Sequence, residues 1–462
     1  MSIDKVAIIG LDCGEPTLVF DRWRDQLPNM FRLMRCGKWG RLRSCLPPIT
    51  VPAWSCMACS KDPGQLGVYG FRNRKDHSYE GLELATSLQV KEPRIWDILS
   101  DRGRPSIVLS VPQTYPITRP IAGAQVACWL TPDTTCDYTW PKDLKSKIRQ
   151  WIGDYIFDLR NFRNLAKDAI LRQIYEMTDK RFELSKRLIR EYPWSLFWMV
   201  EMGTDRIHHT FWADMDPKHY RHEPGNKYAG AIRDYYIYLD AKIGDLLAQM
   251  DLDRTAIWVV SDHGAQCMEG GICFNDWLIR EGYLVLKQPV TKPTRFSFDM
   301  VDWTKTRAWG EGGYYGRCFI NVQGREPHGL VPQAQYDAFC KELIARLESM
   351  PKEDGQPLNT KVYRPKDIYA QVNGIAPDLV VLFGNLTHRS VGSVGNPGIY
   401  TLENDTGPDD ANHAQDGMYI LSHPSLGAGK CDDSATLYDV APTTLKLLGQ
   451  PVPADMNGKA LV

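Results

Sequence analysis

Three apolar runs in this chain end on aspartate and histidine. Val6-Ala7-Ile8-Ile9-Gly10-Leu11 stops at Asp12, and Leu196-Phe197-Trp198-Met199-Val200-Glu201-Met202 leads into Gly203-Thr204-Asp205-Arg206-Ile207-His208-His209. Ala256-Ile257-Trp258-Val259-Val260 leads into Ser261-Asp262-His263-Gly264. Each run reads as a buried parallel strand, and open α/β sheets build their sites beyond strand carboxyl ends. Asp205 and His209 stand at i and i+4, so on a helix they share one face and can bind one ion, whereas His208 points away by about 100°. A lone Asp after a strand is more often a cap or turn residue, and a lone buried His more often a satisfied core residue. Several such deliveries in one chain argue instead for a metal centre. Carboxylates with imidazoles suit Zn²⁺ or Mn²⁺, since Ca²⁺ wants oxygen ligands alone and iron–sulfur clusters want thiolates. Ligand type favours zinc, with manganese the alternative.

A nucleophile is the missing part, and Cys45-Leu46-Pro47-Pro48-Ile49-Thr50-Val51-Pro52-Ala53-Trp54-Ser55 offers one. Pro52, opening an apolar stretch of small residues, marks a helix amino terminus. That places Thr50 where backbone N–H groups and the helix dipole favour an anion. Taken alone, a Thr just before a helix is more often a cap.

The elements that must hold these residues alternate. Ser106–Val111 reads as a strand after a short helix around Ile95–Leu99, closed by Gly103. Apolar side chains at Ile232, Tyr235, Tyr236, Leu239, Ile243, Leu246 and Leu247 recur with helical spacing between about Tyr228 and Met250, and Leu165 to Arg190 is also helical. The expected fold class is α/β, a mainly parallel central sheet with helices on both faces. Leu379–Phe383 and Met418–Leu421 read as later strands, and Tyr438–Leu448 as a final helix stopped by Gly449 and Pro451. Residues 69–92, 131–164 and 266–364 are rich in aromatic residues, Gly and Pro with weak periodicity. They are expected to be insertions over the strand ends, forming a substrate-selecting cap. Their aromatic residues and flanks, from Trp129 to Tyr315, read mainly as core packing. Gly310-Glu311-Gly312-Gly313 lacks the Gly-Lys-Ser/Thr ending of a P-loop and reads as a lid or turn.

At 462 residues, with 43% hydrophobic and 24% charged residues, the chain can bury a substantial core. A formal net charge of -1 gives no electrostatic case for nucleic acid or an anionic membrane as partner. No run approaches the ~18 apolar residues of a spanning helix. Met1-Ser2-Ile3-Asp4-Lys5 leads straight into the first strand without signal-peptide features, and the 12 scattered cysteines read as reduced thiols. A cytoplasmic protein is expected, and its oligomeric state is left open.

The order Leu11-Asp12, Pro48-Ile49-Thr50-Val51-Pro52, Asp205-x3-His209, Ser261-Asp262-His263-Gly264 and a late His resembles the alkaline phosphatase superfamily, in its type I phosphodiesterase/nucleotide pyrophosphatase branch. Lys61-Asp62-Pro63-Gly64 and the ending Leu437-Tyr438-Asp439-Val440-Ala441-Pro442 to Gly458 extend the likeness. The resemblance implies one catalytic domain over residues 1–462 and two divalent metal ions. Asp205, His209 and His413 would hold the first ion; Asp12, Thr50, Asp262 and His263 would hold the second. His413 lies in an altered sequence context, and His388 and His423 compete for its role. An Asn that grips the phosphoryl oxygen in the family is replaced here by Phe71, which makes Arg72 or Asn73 the candidate substitute. The implied function is cleavage of phosphodiester or nucleotide pyrophosphate bonds in a small-molecule phosphate ester, through a phosphothreonine on Thr50. Alternatives on the same core are a phosphomonoester or phosphonate hydrolase, in which Arg72 or Arg74 grips the extra charge, and a phosphotransferase. A non-catalytic binding protein would have lost a ligand, and none is lost. Thr50 in place of the Cys-x-Pro-x-Arg motif argues against a sulfatase.

Overall fold

The computed structural model describes residues 3–160 and 165–462. Residues 161–164, the end of one expected insertion, lie outside them, as do Met1 and Ser2. Nine strands form the main sheet: β1 (Lys5–Leu11), β2 (Lys38–Arg43), β3 (Ser106–Leu109), β4 (Gly123–Val126), β5 (Thr139–Trp140), β6 (Leu196–Glu201), β7 (Thr255–Val260), β8 (Asp416–Ser422) and β9 (Lys430–Cys431). Their order across the sheet is β9-β2-β8-β7-β1-β6-β3-β4-β5. The block β7-β1-β6-β3-β4 is parallel throughout, while β8 and β5 run against their neighbours. The expected mainly parallel sheet flanked by helices is therefore present. Strands β1, β6 and β7 are buried almost throughout, which is why they read as continuous apolar runs and not as alternating ones.

The predicted helices form at Lys167–Glu191, Ala231–Leu247 and Val440–Leu447, the last preceded by a 3₁₀ turn over Leu437–Asp439. One boundary differs. The helix beside the predicted nucleophile runs Thr50–Cys59 with Ile49 as its cap residue, so it starts two residues before Pro52 and Thr50 is its first residue. Among the described residues no helix is long and apolar enough to cross a membrane.

Between β7 and β8 the chain leaves the main sheet and returns through an antiparallel ribbon, Gly264–Cys267 against Ala411–Ala414. The intervening chain builds a second core around a four-stranded sheet in the order Ala308–Glu311, Gly316–Ile320, Leu379–Leu382, Lys361–Tyr363. This cap therefore takes in the expected 266–364 insertion and continues past it. Leu379–Leu382 is a strand, as read, but it belongs to the cap. Within residues 69–92 a hairpin, Arg72–Arg74 with Leu82–Leu84, reaches the cap through the buried pair Arg74–Glu326 at 3.1 Å. Arg74 also packs over Trp309 and Phe319, so it is a structural tie and not a substrate contact. The 131–164 stretch behaves differently: Thr139–Trp140 is the edge strand β5 of the main sheet.

Candidate functional site

Adjacent parallel strands β7, β1 and β6 end at the same edge of the sheet and release their polar residues together. Asp12 follows β1, Asp262 and His263 follow β7, and the helix Gly203–Met215 after β6 carries Asp205 and His209. That helix starts close against the helix Ala231–Leu247 because residue 203 is glycine: a Cβ there would run into the Tyr235 hydroxyl. The ribbon supplies the last residue. Its register sets His413 opposite Ala265, and the His413 ring stacks on His263 with centroids 3.8 Å apart. Asp12, Thr50, Asp205, His209, Asp262, His263 and His413 are all buried.

Their donor atoms converge in two groups that share a member. Asp205, His209 and His413 offer atoms within 4.8 Å of one another, and so do Asp12, Asp205 and His263. Asp205 thus stands between both groups, where the sequence reading assigned it to the first alone. Thr50 Oγ1 lies 3.2 Å from His263 Nε2 and 3.5 Å from Asp12 Oδ1. Asp262 accepts the Cys13 N–H through Oδ1, and its Oδ2 sits 3.1 Å from His263 Nε2.

The remaining ring atoms are held from behind. His413 Nδ1 is bonded to the Pro48 carbonyl at 2.9 Å, His263 Nδ1 to the Gly264 carbonyl at 3.1 Å, and His209 Nδ1 to Asp409 Oδ1 at 2.7 Å. Each imidazole thereby turns Nε2 inward, the arrangement that metal-binding histidines adopt. His209 Nε2, His413 Nε2 and Asp262 Oδ2 are buried yet have no hydrogen-bond partner among the described residues; His209 Nε2 lies 3.1 Å from Asp205 Oδ1, but without hydrogen-bond geometry. Buried polar atoms rarely stay unsatisfied. A convergent set of orphaned nitrogen and oxygen donors is what divalent zinc or manganese would fill.

Electrostatics divide the set: burial opposes a charge on His209, but Asp409, Tyr314 and Asp205 outweigh it and hold that imidazole well above its usual range. Burial and the neighbouring Asp205 push the Asp12 carboxyl well above the usual carboxylate range, although Trp54 Nε1–H donates to it at 2.7 Å. Burial and Asp12 do the same to Asp262. Burial acts on Asp205 too, but His209 and Arg206 outweigh it and hold that carboxyl well below its ordinary value. Burial takes His263 down to about 4 and, helped by His263 and His209, takes His413 well below the usual imidazole range. Both rings are neutral near pH 7, the form that binds metal, and three buried carboxylates in one place call for positive charge.

Of the competing histidines, His388 lies beside Thr387 and pairs with the Gly270 strand, while His423 bonds the Asp253 carbonyl before the start of β7, at the opposite edge of the sheet. His208 turns away from His209 and stacks on Tyr236. Arg72 lines the cleft over Thr50, a cavity of about 490 Å³ also walled by Phe71, Trp129, Arg206, Glu311, Tyr314, Tyr315, Arg317, Arg389 and His413. Asn73 does not: it is buried, accepting from Tyr69 N–H and donating to the Gly70 carbonyl within its own turn. The Gly310–Gly313 stretch is a cap strand and turn whose last residue exchanges hydrogen bonds with Ser390, and it too walls the cavity.

Three further contributors escaped the sequence reading. Trp54 lies four residues after Thr50 on the same helix face, a spacing that was available as a signal. Asp409 could be anticipated only as an unnamed acceptor behind His209. Tyr314 stacks on His413 at 4.3 Å and His209 at 5.1 Å, and nothing in its local sequence separates it from the packing aromatics.

Residues 6–409 match the model of a family described as type I phosphodiesterase / nucleotide pyrophosphatase. Among solved structures the chain resembles human ectonucleotide pyrophosphatase / phosphodiesterase 5, with TM-score 0.57 and 13% identity over 98% of this chain and 97% of that one. The murine protein of the same name gives TM-score 0.56 and 13% identity over 97% and 96% of the two chains. An inactive threonine-to-alanine variant of it in complex with AMP gives TM-score 0.55 and 13% identity over the same shares. No curated protein matches the chain.

Proposed function

The chain belongs to the type I phosphodiesterase/nucleotide pyrophosphatase family, and on that premise we propose that it hydrolyses phosphodiester or nucleotide pyrophosphate bonds of a small-molecule ester through a phosphothreonine on Thr50. The observation that carries this reading is the Thr50 hydroxyl at the first turn of a helix, 3.2 Å from His263 Nε2 and beside Asp12, facing the cleft. Asp205, His209 and His413 hold one divalent ion; Asp12, Thr50, Asp262 and His263 hold a second; zinc is preferred by ligand type, with manganese the alternative. Two such ions, when bound, ease loss of the Thr50 proton, neutralise the phosphoryl oxygens and stabilise the leaving oxygen.

Thr50 Oγ1 gives up its proton and bonds to phosphorus as the bond to the leaving oxygen breaks. The leaving group departs with one proton, matching the one lost by Thr50. Water then attacks the phosphothreonine, the bond between phosphorus and Oγ1 breaks, one proton returns to Thr50, and the phosphate keeps the new oxygen. Backbone N–H groups at the start of the Thr50–Cys59 helix face the non-bridging oxygens, where no side chain caps the helix. Twelve free cysteines favour a reducing compartment, and we assign the protein to the cytoplasm.

The test is hydrolysis of bis-p-nitrophenyl phosphate beside p-nitrophenyl phosphate, by zinc- or manganese-loaded wild type and Thr50→Ala with metal content checked. Diester turnover that vanishes in metal-replete Thr50→Ala supports the reading. Monoester preference moves the assignment to a phosphomonoesterase, and equal activity in both proteins removes Thr50 from the mechanism.

A further inference from the structure

The cleft over Thr50 opens into an outer groove of about 1290 Å³, and the two share Arg72, Leu82, Glu311, Gly312, Gly313, Arg389 and Thr406 as walls. Three guanidiniums gather at and just inside their junction. Arg72 comes from the hairpin, Arg317 from the second cap strand, and Arg389 from the strand His388–Val391. Arg206, the other guanidinium in the inner cleft, is already taken by Asp158 and Asp205.

These three have donors to spare. Arg389 is buried, reaches Asp409 at 3.5 Å and Asp405 only at 3.9 Å, and its Nε has no hydrogen-bond partner among the described residues. Arg317 is buried and gives one Nη to the Arg72 carbonyl, which ties the hairpin to the cap. Arg72 is exposed and enters no ion pair within 4 Å among the described residues. Acids stand among them: Asp409 and Asp405 beside Arg389, and Glu311, whose carboxyl burial pushes up while Arg317, Arg72 and Arg74 pull it down. What the junction offers is spare guanidinium donors, on the buried Arg389 Nε and on the exposed Arg72, and not a net excess of positive charge. The groove is walled in addition by Glu403 and Arg295.

Resting on the phosphohydrolase reading, we infer that Arg72, Arg317 and Arg389 form a subsite for a second anionic group, a carboxylate or phosphate on the substituent of the substrate. Thr50 and His413 wall only the inner cleft, whereas Arg72 and Arg389 wall both cavities. The second charge is thus held apart from the scissile phosphorus, on a substituent long enough to reach the junction. Guanidinium forks suit carboxylate and phosphate oxygens alike.

Two matched pairs of probes test this: propyl against 2-carboxyethyl p-nitrophenyl phosphate, and thymidine 5′-(p-nitrophenyl phosphate) against its 3′-phosphate. In zinc-loaded wild type, kcat/KM is expected to favour the anionic member of at least one pair by about tenfold or more. Whichever pair shows it identifies the anion as carboxylate or phosphate. Arg72→Ala is expected to bring that ratio to about one, and Arg72→Lys to restore part of it. Ratios near one in wild type, or ratios unchanged in Arg72→Ala, overturn the subsite while leaving the hydrolase reading intact. If no ester is hydrolysed, the hydrolase reading fails instead. Calorimetric binding of the same pairs to zinc-loaded Thr50→Ala, with and without Arg72→Ala, then decides the subsite by affinity alone.

Discussion

At the carboxyl edge of the main sheet, Asp12, Asp205 and Asp262 crowd together with few cations of the chain's own to balance them. In the cap junction Arg72, Arg317 and Arg389 gather beside Glu311, with Asp409 and Asp405 near Arg389. The two regions gather unlike groups, carboxylates and imidazoles in one and guanidiniums with spare donors in the other, and stand on different scaffolds: one on adjacent parallel strands β7, β1 and β6, the other on short antiparallel strands and a hairpin. The sheet edge gathers buried carboxylates and imidazoles with unsatisfied donors, and the cap walls the cleft above them.

The sharpest way to break this division is at Thr50. Thr50→Ala with its metals retained is expected to lose about 10³-fold or more in diester turnover, measured as kcat, with the folded cap unchanged by near-ultraviolet circular dichroism. Turnover that survives would put the chemistry elsewhere. On the cap side, Glu326 receives Arg74 at 3.1 Å, Arg325 at 3.0 Å and the Val322 N–H at 2.9 Å in a buried setting. Glu326→Gln strands the buried Arg74 charge and is expected to cost about 3–5 kcal/mol in urea unfolding. An early transition confined to the cap would sharpen the comparison, and a single unshifted transition would break it. Zinc at ~100 times its dissociation constant is expected to stabilise the protein by about 2.7 kcal/mol, seen as a higher melting temperature that a chelator reverses. No thermal response to zinc would remove the metal from the sheet edge. Asp409→Asn, which weakens the support behind His209 Nδ1, is expected to weaken zinc binding by about 10–100-fold in chelator competition, again without loss of the cap.

The sheet edge was the more legible of the two regions. Runs such as Ala256–Val260 are apolar because both faces of a central parallel strand are buried, and Asp262 and His263 follow at a fixed offset. Asp205 and His209 could be paired from helix period alone. The His413 position owes nothing to local sequence, since a strand pairing across the fold delivers it, and only the family resemblance singled it out. The cap strands are short and mostly buried on both faces, so residues 266–364 showed no clean period and their continuation to Leu382 went unseen. Asn73 looked like a polar group free for substrate because a turn's internal hydrogen bonds leave no mark on composition.

The ribbon that carries His413 joins two stretches of chain far apart: Gln266 donates to the His413 carbonyl across 147 residues. Everything between them, the cap included, forms one long loop whose closure costs chain entropy. The main sheet alone positions Asp12, Asp205, His209, Asp262 and His263, but not His413. The group of Asp205, His209 and His413 is therefore complete only when that loop is closed, which couples its integrity to the stability of the cap.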